Sequence, residues 1–239
     1  MIPLRQTLEP QTYPIVTRSL LAVIVVMFLS QLFSGSYGEI LVTVFGFIPA
    51  RFFYPSQFGY LGVESVATLI TSLFLHGGLL HLGGNLLYLS IFGGAVEHRL
   101  GRARYLLFFV AGGAAGSITH AFVFPLSEIP SIGASGSIAA ILGCSLCLQP
   151  FARVVTLFPV VISWAIAEVP ALVFLPIWFA LQFSSGWLSL ASAQGTEEVA
   201  GVAWWAHVGG FVFGVLVGLL LGRGSPANGV RGEESEAGR

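Results

Sequence analysis

Apolar residues run along this chain in long stretches bounded by arginines, glycines and prolines. A stretch of about 20 apolar residues, rising about 1.5 Å per residue as a helix, matches the roughly 30 Å hydrocarbon core of a bilayer. Six such stretches are legible, at residues 19–34, 80–97, 104–124, 135–149, 168–188 and 203–222. They predict an all-α fold, a polytopic membrane bundle of six transmembrane helices. The fourth is the shortest. Residues 35–79 carry scattered aromatics (Phe45, Phe47, Phe52, Phe53, Tyr54, Phe58, Tyr60), prolines and Glu64, too broken a pattern to span, and are expected to form an interfacial structured loop. Pro159 interrupts residues 154–167, which are expected to connect two spans along the membrane surface, with Glu168 and Pro170 opening the fifth.

Composition agrees with this pattern: 55% of the 239 residues are hydrophobic and 9% charged, against about a quarter charged in soluble domains. The lipid bilayer is therefore the expected surroundings. A net charge of -1 carries no nucleic-acid signature. The chain divides into a cytoplasmic N-terminal segment (1–18), a membrane domain (19–222) and a charged, Gly- and Glu-rich cytoplasmic tail (223–239) expected to be disordered. The apolar run after Arg18 could be a secretory signal, but Glu9 and Pro14 ahead of it favour a retained first span. Cys144 and Cys147 lie inside one apolar segment and read as packing residues rather than as a redox or metal pair.

Orientation follows from the arginines, because the chain has no lysine and short cytoplasmic loops collect positive charge. With six spans and both termini in the cytoplasm, nine of the ten arginines fall inside and only Arg51 outside. Arginine-only basic usage also suggests a GC-rich bacterial genome and hence a bacterial plasma (inner) membrane, with a mitochondrial or plastid membrane as the alternative.

Polar residues at lipid depth mark sites, since each is unfavourable to insert. Four stand out: His81, Asn85, Ser135 and His207. In the six-span topology all four lie near the extracytoplasmic end. Ser135 sits between glycines in Gly133-Ala134-Ser135-Gly136 at the start of an apolar helix. Small neighbours permit a tight turn there, and unpaired N–H groups at a helix start can stabilise an oxyanion. An N-cap serine is the competing reading. His207 stands three residues before Gly210, which with Gly214, Gly218 and Gly222 forms a stripe. Such a stripe allows close approach to another helix; if that helix is the fourth, with its Gly136, Ala139, Ala140 and Gly143, His207 comes within reach of Ser135. His81 and Asn85 are one turn apart and share a face, so they either donate to one oxyanion or tie the second helix to a neighbour. His76 is expected to anchor the preceding loop, and His98 and His120 to sit at helix ends. The chain contains no aspartate and no H-E-x-x-H, which excludes aspartyl chemistry, a Ser-His-Asp triad and that class of zinc site. What remains is a Ser135–His207 dyad.

These residues resemble the rhomboid intramembrane serine proteases. His81-Leu-Gly-Gly-Asn85 is similar to that family's H-x-x-x-N, Gly133-Ala134-Ser135-Gly136 to its G-x-S-G, and Ala206-His207-Val208-Gly209-Gly210 with Gly214 to its last-helix signature. Gly94-Ala-Val-Glu97 followed by Leu100-Gly101 is similar to the end of its second helix. The resemblance implies a serine endopeptidase using the dyad, an oxyanion hole of His81, Asn85 and the Ser135 amide, single-pass membrane proteins as substrates entering laterally, and no metal or cofactor. Many members carry an aromatic four residues after the nucleophile, packed on the catalytic imidazole; here that position is Ala139. A tryptophan-arginine pair of some members' first loop is missing too. A proteolytically inactive rhomboid-like binding protein and a small transporter are the rival classes; the first would lack the dyad, and the second would show two related halves.

Overall fold

A computed structural model describes residues 1–7, 12–35, 37–59, 62–160, 163–192 and 202–222; the tail expected to be disordered lies outside them. Among the described residues five helices are long and apolar enough to cross a membrane: α1 (Ile15–Phe33), α5 (Leu79–Leu100), α6 (Arg102–Val123), α8 (Ala171–Ser192) and α9 (Trp204–Gly222). Between α1 and α5, the broken segment forms three short helices, α2 (Tyr37–Phe45), α3 (Pro49–Phe53) and α4 (Val63–Thr71). The fourth apolar stretch is α7 (Ser135–Leu148), 14 residues and so about 21 Å long, shorter than a typical hydrocarbon core. Residues Gly136 to Ser145 of α7 are all buried, which is how so short a helix is accommodated: it is solvated by other helices, chiefly α6 and α9.

Small residues let that happen. A Cβ at Gly210 would overlap the Gly136 carbonyl, one at Gly214 the Ala140 carbonyl, and one at Gly143 the Phe211 carbonyl, while at Gly218 it would lie 2.8 Å from the Cys147 Cβ. The glycine stripe of α9 therefore makes the close helix contact its spacing implies, and the partner is the backbone of α7. Only Gly222, where nothing lies within 4 Å, runs past the contact. From the other side α6 presents Gly112, whose Cβ would lie 2.5 Å from that of Ala140, and Gly116, whose Cβ would lie 2.5 Å from the Ala206 carbonyl oxygen. Cys144 is buried in this packing and the Cys147 thiol reaches the Val215 carbonyl at 3.5 Å, so both cysteines pack as the apolar setting suggests.

The segments expected to be irregular depart from the all-α reading. Residues 154–167 do connect two helices, but as regular structure: β2 (Arg153–Val160) and β3 (Ser163–Pro170) form an antiparallel hairpin, and β1 (Ile2–Gln6), within the N-terminal segment 1–18, pairs with β2. The competing signal was the β-branched run Arg-Val-Val-Thr, with Val154 and Thr156 fully buried and Pro3 on an edge strand where its missing N–H is tolerated. The fifth helix consequently begins at Ala171, after Glu168 and Pro170, which belong to β3. The sheet joins the C-terminus of α7 to the start of α8, so it closes the end of the bundle opposite Ser135.

At that end α1 lacks a cap of its own, since Pro14 precedes it with no side-chain hydrogen bond. Glu97 of α5 supplies one: its carboxylate accepts the backbone N–H of Val16 (2.9 Å) and of Thr17 (2.8 Å) and the Thr17 hydroxyl (2.8 Å). Only 3% exposed, this carboxylate is compensated by three donors and by the positive end of α1. Glu97→Gln replaces one acceptor oxygen with a donor facing donors. It is expected to lower stability by about 2 kcal/mol, read as a fall in thermal midpoint in detergent; an unchanged midpoint would contradict the capping role. At the other end of α1, Gln31 accepts the His76 N–H (3.0 Å) and reaches the His76 carbonyl (3.4 Å), so His76 anchors its loop as expected, through its backbone.

Candidate active site

The turn before α7 is where the site is assembled. Gly133 has φ +116°, a conformation that favours glycine, and its N–H donates to the Ser72 carbonyl at 2.9 Å. A Cβ at Gly133 would lie 2.6 Å from His81 Nε2 and 3.7 Å from Asn85 Nδ2, so both side chains of α5 face this turn. The loop leading to it is pinned by Phe47 and Ser131, which exchange backbone hydrogen bonds of 3.1 and 2.7 Å. Ser135 is the first residue of α7, where backbone N–H groups are free of helical partners and the helix dipole is positive.

Hydrogen bonding sets the donors. The Gly77 N–H approaches His81 Nδ1 at 3.4 Å, so Nδ1 accepts and the proton of the neutral ring belongs on Nε2, the atom nearest Gly133. The Asn85 amide donates one N–H to the His81 carbonyl at 3.1 Å, which fixes its rotamer and leaves a second N–H. Asn85 is buried. Behind His81 stands His76, ring centroids 5.1 Å apart. Burial first, and then the nearby His81, push the His76 imidazole down to about 4, so it adds no positive charge here.

His207 lies one turn into α9, half-buried, with Nδ1 2.7 Å from Gln182 Oε1 of α8. Its ring is packed between two tryptophans: Trp178 at 6.2 Å between centroids and tilted 31°, and Trp204 at 5.9 Å edge-on. Ala139, the position where an aromatic support could have stood, is fully buried in the α7–α9 contact. The imidazole is thus supported from α8 and α9 instead. Ser135, His207, His81 and Asn85 all line one cavity of about 590 Å³, together with Tyr88, Trp178 and Gln182. The other flagged histidines lie elsewhere: the His98 ring is 3.0 Å from the Thr12 hydroxyl, and His120 is buried at the end of α6 beside Phe124.

Residues 63–224, more than half of the chain, match the family model described as the Rhomboid domain. The chain belongs to the rhomboid family. It is 30% identical over 168 residues to Rhomboid protein 1, mitochondrial, of Saccharomyces cerevisiae, covering 67% of this chain and 43% of that one. It is 47% identical over 78 residues to the Rhomboid protease GluP of Bacillus subtilis, covering 33% of this chain and 15% of that one. It is 30% identical over 95 residues to Inactive rhomboid protein 1 of Drosophila melanogaster, covering 38% and 6%. The matches thus span less than half the length of these relatives. With its apolar helices, this rhomboid is a multi-pass integral membrane protein.

Three residues of the rhomboid site were not singled out from sequence: Gln182, Trp178 and Tyr88. Gln182 carried a usable signal, as the only amide within the apolar α8. The aromatics carried none, because tryptophan and tyrosine are common in membrane helices and only packing brings these two beside the cavity, 6.2 Å apart between centroids.

Proposed function

We propose that this rhomboid is an intramembrane serine endopeptidase with Ser135 as nucleophile and His207 as its base. The observation that carries the reading is one cavity lined by Ser135 at a helix N-terminus, His207, and the amide- and imidazole-bearing side chains of Asn85 and His81. Ser135 Oγ attacks the scissile carbonyl carbon while His207 Nε2 takes the hydroxyl proton. The negative charge that develops on the carbonyl oxygen is met by the His81 Nε2–H, the second Asn85 N–H and the Ser135 backbone N–H. His207 then returns the proton to the leaving amine, an acyl-enzyme remains, and water activated by the same imidazole hydrolyses it. Every proton is handled by side chains of the chain itself.

The finer features of the reading go together. The six-span topology takes α7, fourth in order, as a submerged span that brings the five long helices to six, the structural glycines Gly133, Gly136, Gly210 and Gly214 hold the site, and both termini face the cytoplasm of a bacterial plasma membrane. Substrates are then single-pass proteins cut near their outward-facing boundary. Residues 1–18 and 223–239 are cytoplasmic flanks of a 19–222 membrane domain. The arginine distribution supports this orientation. A role without cleavage, as for the Drosophila relative that is named inactive, is disfavoured because both dyad residues are present.

The test is reconstitution of the purified chain in liposomes with a labelled single-span substrate, alongside labelling by a fluorophosphonate. Fragments, and covalent label recovered on Ser135, are expected. No fragment across many substrates and no label on Ser135 would overturn the reading. Asn85→Ala is expected to lower kcat about 10- to 100-fold, less than loss of Ser135, because two oxyanion donors remain; a loss equal to that of Ser135→Ala would give Asn85 a larger part.

A further inference from the structure

We infer that Gln182 is a positioning residue, the third member of the catalytic array, holding His207 in the tautomer that can accept the Ser135 proton. The inference rests on the protease reading and deepens it. A neutral imidazole has one N–H, and a base for Ser135 needs its lone pair on the nitrogen that faces the cavity. His207 Nδ1 lies 2.7 Å from Gln182 Oε1. The amide oxygen only accepts, so Nδ1 donates and Nε2 carries the lone pair. In the many sites where a carboxylate does this work, it also stabilises the imidazolium; this chain has no aspartate, and Glu97 is bound to Val16 and Thr17 near the far end of α5.

The geometry makes the contact more than an interhelical tie. Trp178 and Gln182 stand four residues apart on α8, on one face, and both meet the same imidazole, the ring at 6.2 Å and the amide at hydrogen-bond distance. Trp204 closes a third side at 5.9 Å. Ring plane and ring tautomer are thus set by one turn of α8, taking over the support that Ala139 is too small to supply.

The test compares wild type, Gln182→Met, which keeps length and loses the acceptor, and Gln182→Glu, which keeps an acceptor oxygen. Histidine nitrogen NMR of the full chain in nanodiscs, with His207→Ala to assign the signal, reads the tautomer directly. Wild type is expected to show His207 protonated on Nδ1, Gln182→Met to lose that signature, and Gln182→Glu to keep it. In cleavage assays Gln182→Met is expected to lower kcat about 10- to 100-fold with KM changed less than about twofold, and Gln182→Glu to recover most of the rate. An unchanged tautomer or an unchanged kcat in Gln182→Met would overturn the inference. Should Gln182→Met fail to assemble, Gln182→Ala is read in the same spectrum. A wild-type chain that cleaves nothing sinks the protease reading instead, and the two failures are distinguishable because the spectrum needs no turnover.

Discussion

His207→Ala is expected to slow single-turnover cleavage as far as Ser135→Ala does, roughly 10⁴-fold, and the double variant is expected to lose no more than either alone. The reason is that nucleophile and base act as one unit. Ser135 stays protonated and unreactive without a base, and His207 has nothing to deprotonate without the hydroxyl. Among the described residues that line the cavity no other group can take over the base role: His81 points its protonated nitrogen at Gly133, with Nδ1 occupied by the Gly77 N–H. Quenched-flow or gel-based single-turnover rates on one labelled substrate measure this. Retention of more than a tenth of the wild-type rate by His207→Ala would remove it from the base role, and losses that multiply in the double variant would mean that the two residues act independently.

Gly214→Ala is expected to destabilise the bundle by about 3 kcal/mol or more, an unusually large effect for one added methyl group. Its Cβ would run into the Ala140 carbonyl and lie within 2.8 Å of the Ala140 Cα. These are backbone atoms, which cannot rotate aside, so α7 and α9 must separate. The same separation carries His207, seven residues earlier on α9, away from Ser135, and activity should fall with stability. Gly83→Ala on α5 is the matched control, with nothing within 4 Å of its Cβ; it should be neutral or stabilise by up to about 1 kcal/mol through helix propensity. Thermal unfolding of both variants in detergent decides, and equal midpoints would mean that α7 and α9 adjust without loss.

Much of this was readable because membrane helices advertise themselves. With no water at lipid depth, span length is nearly sufficient to write the helix order, small-residue spacing marks the face of α9 that packs closely, and each intramembrane polar residue stands out against its neighbours. Ser135, His207, His81 and Asn85 were found that way and do line one cavity. The capping role of Glu97 was not legible, for the converse reason. Near a helix end a carboxylate reads as solvated, and nothing local says that the N-terminus of α1, 80 residues earlier in the chain, needs a cap.

The amino-acid sequence by itself therefore determined the membrane setting, the glycine stripe that lets α9 approach another helix closely and the four polar residues that line the cavity, because these depend on spacing within single helices. Only the tertiary structure decided that the first residues pair with the 153–170 hairpin, that Glu97 caps α1, and that His207 is held by Gln182 and two tryptophans rather than by a residue of α7. Each of those is a contact between segments distant in the chain, where burial and hydrogen-bond partners arise only after the helices have packed.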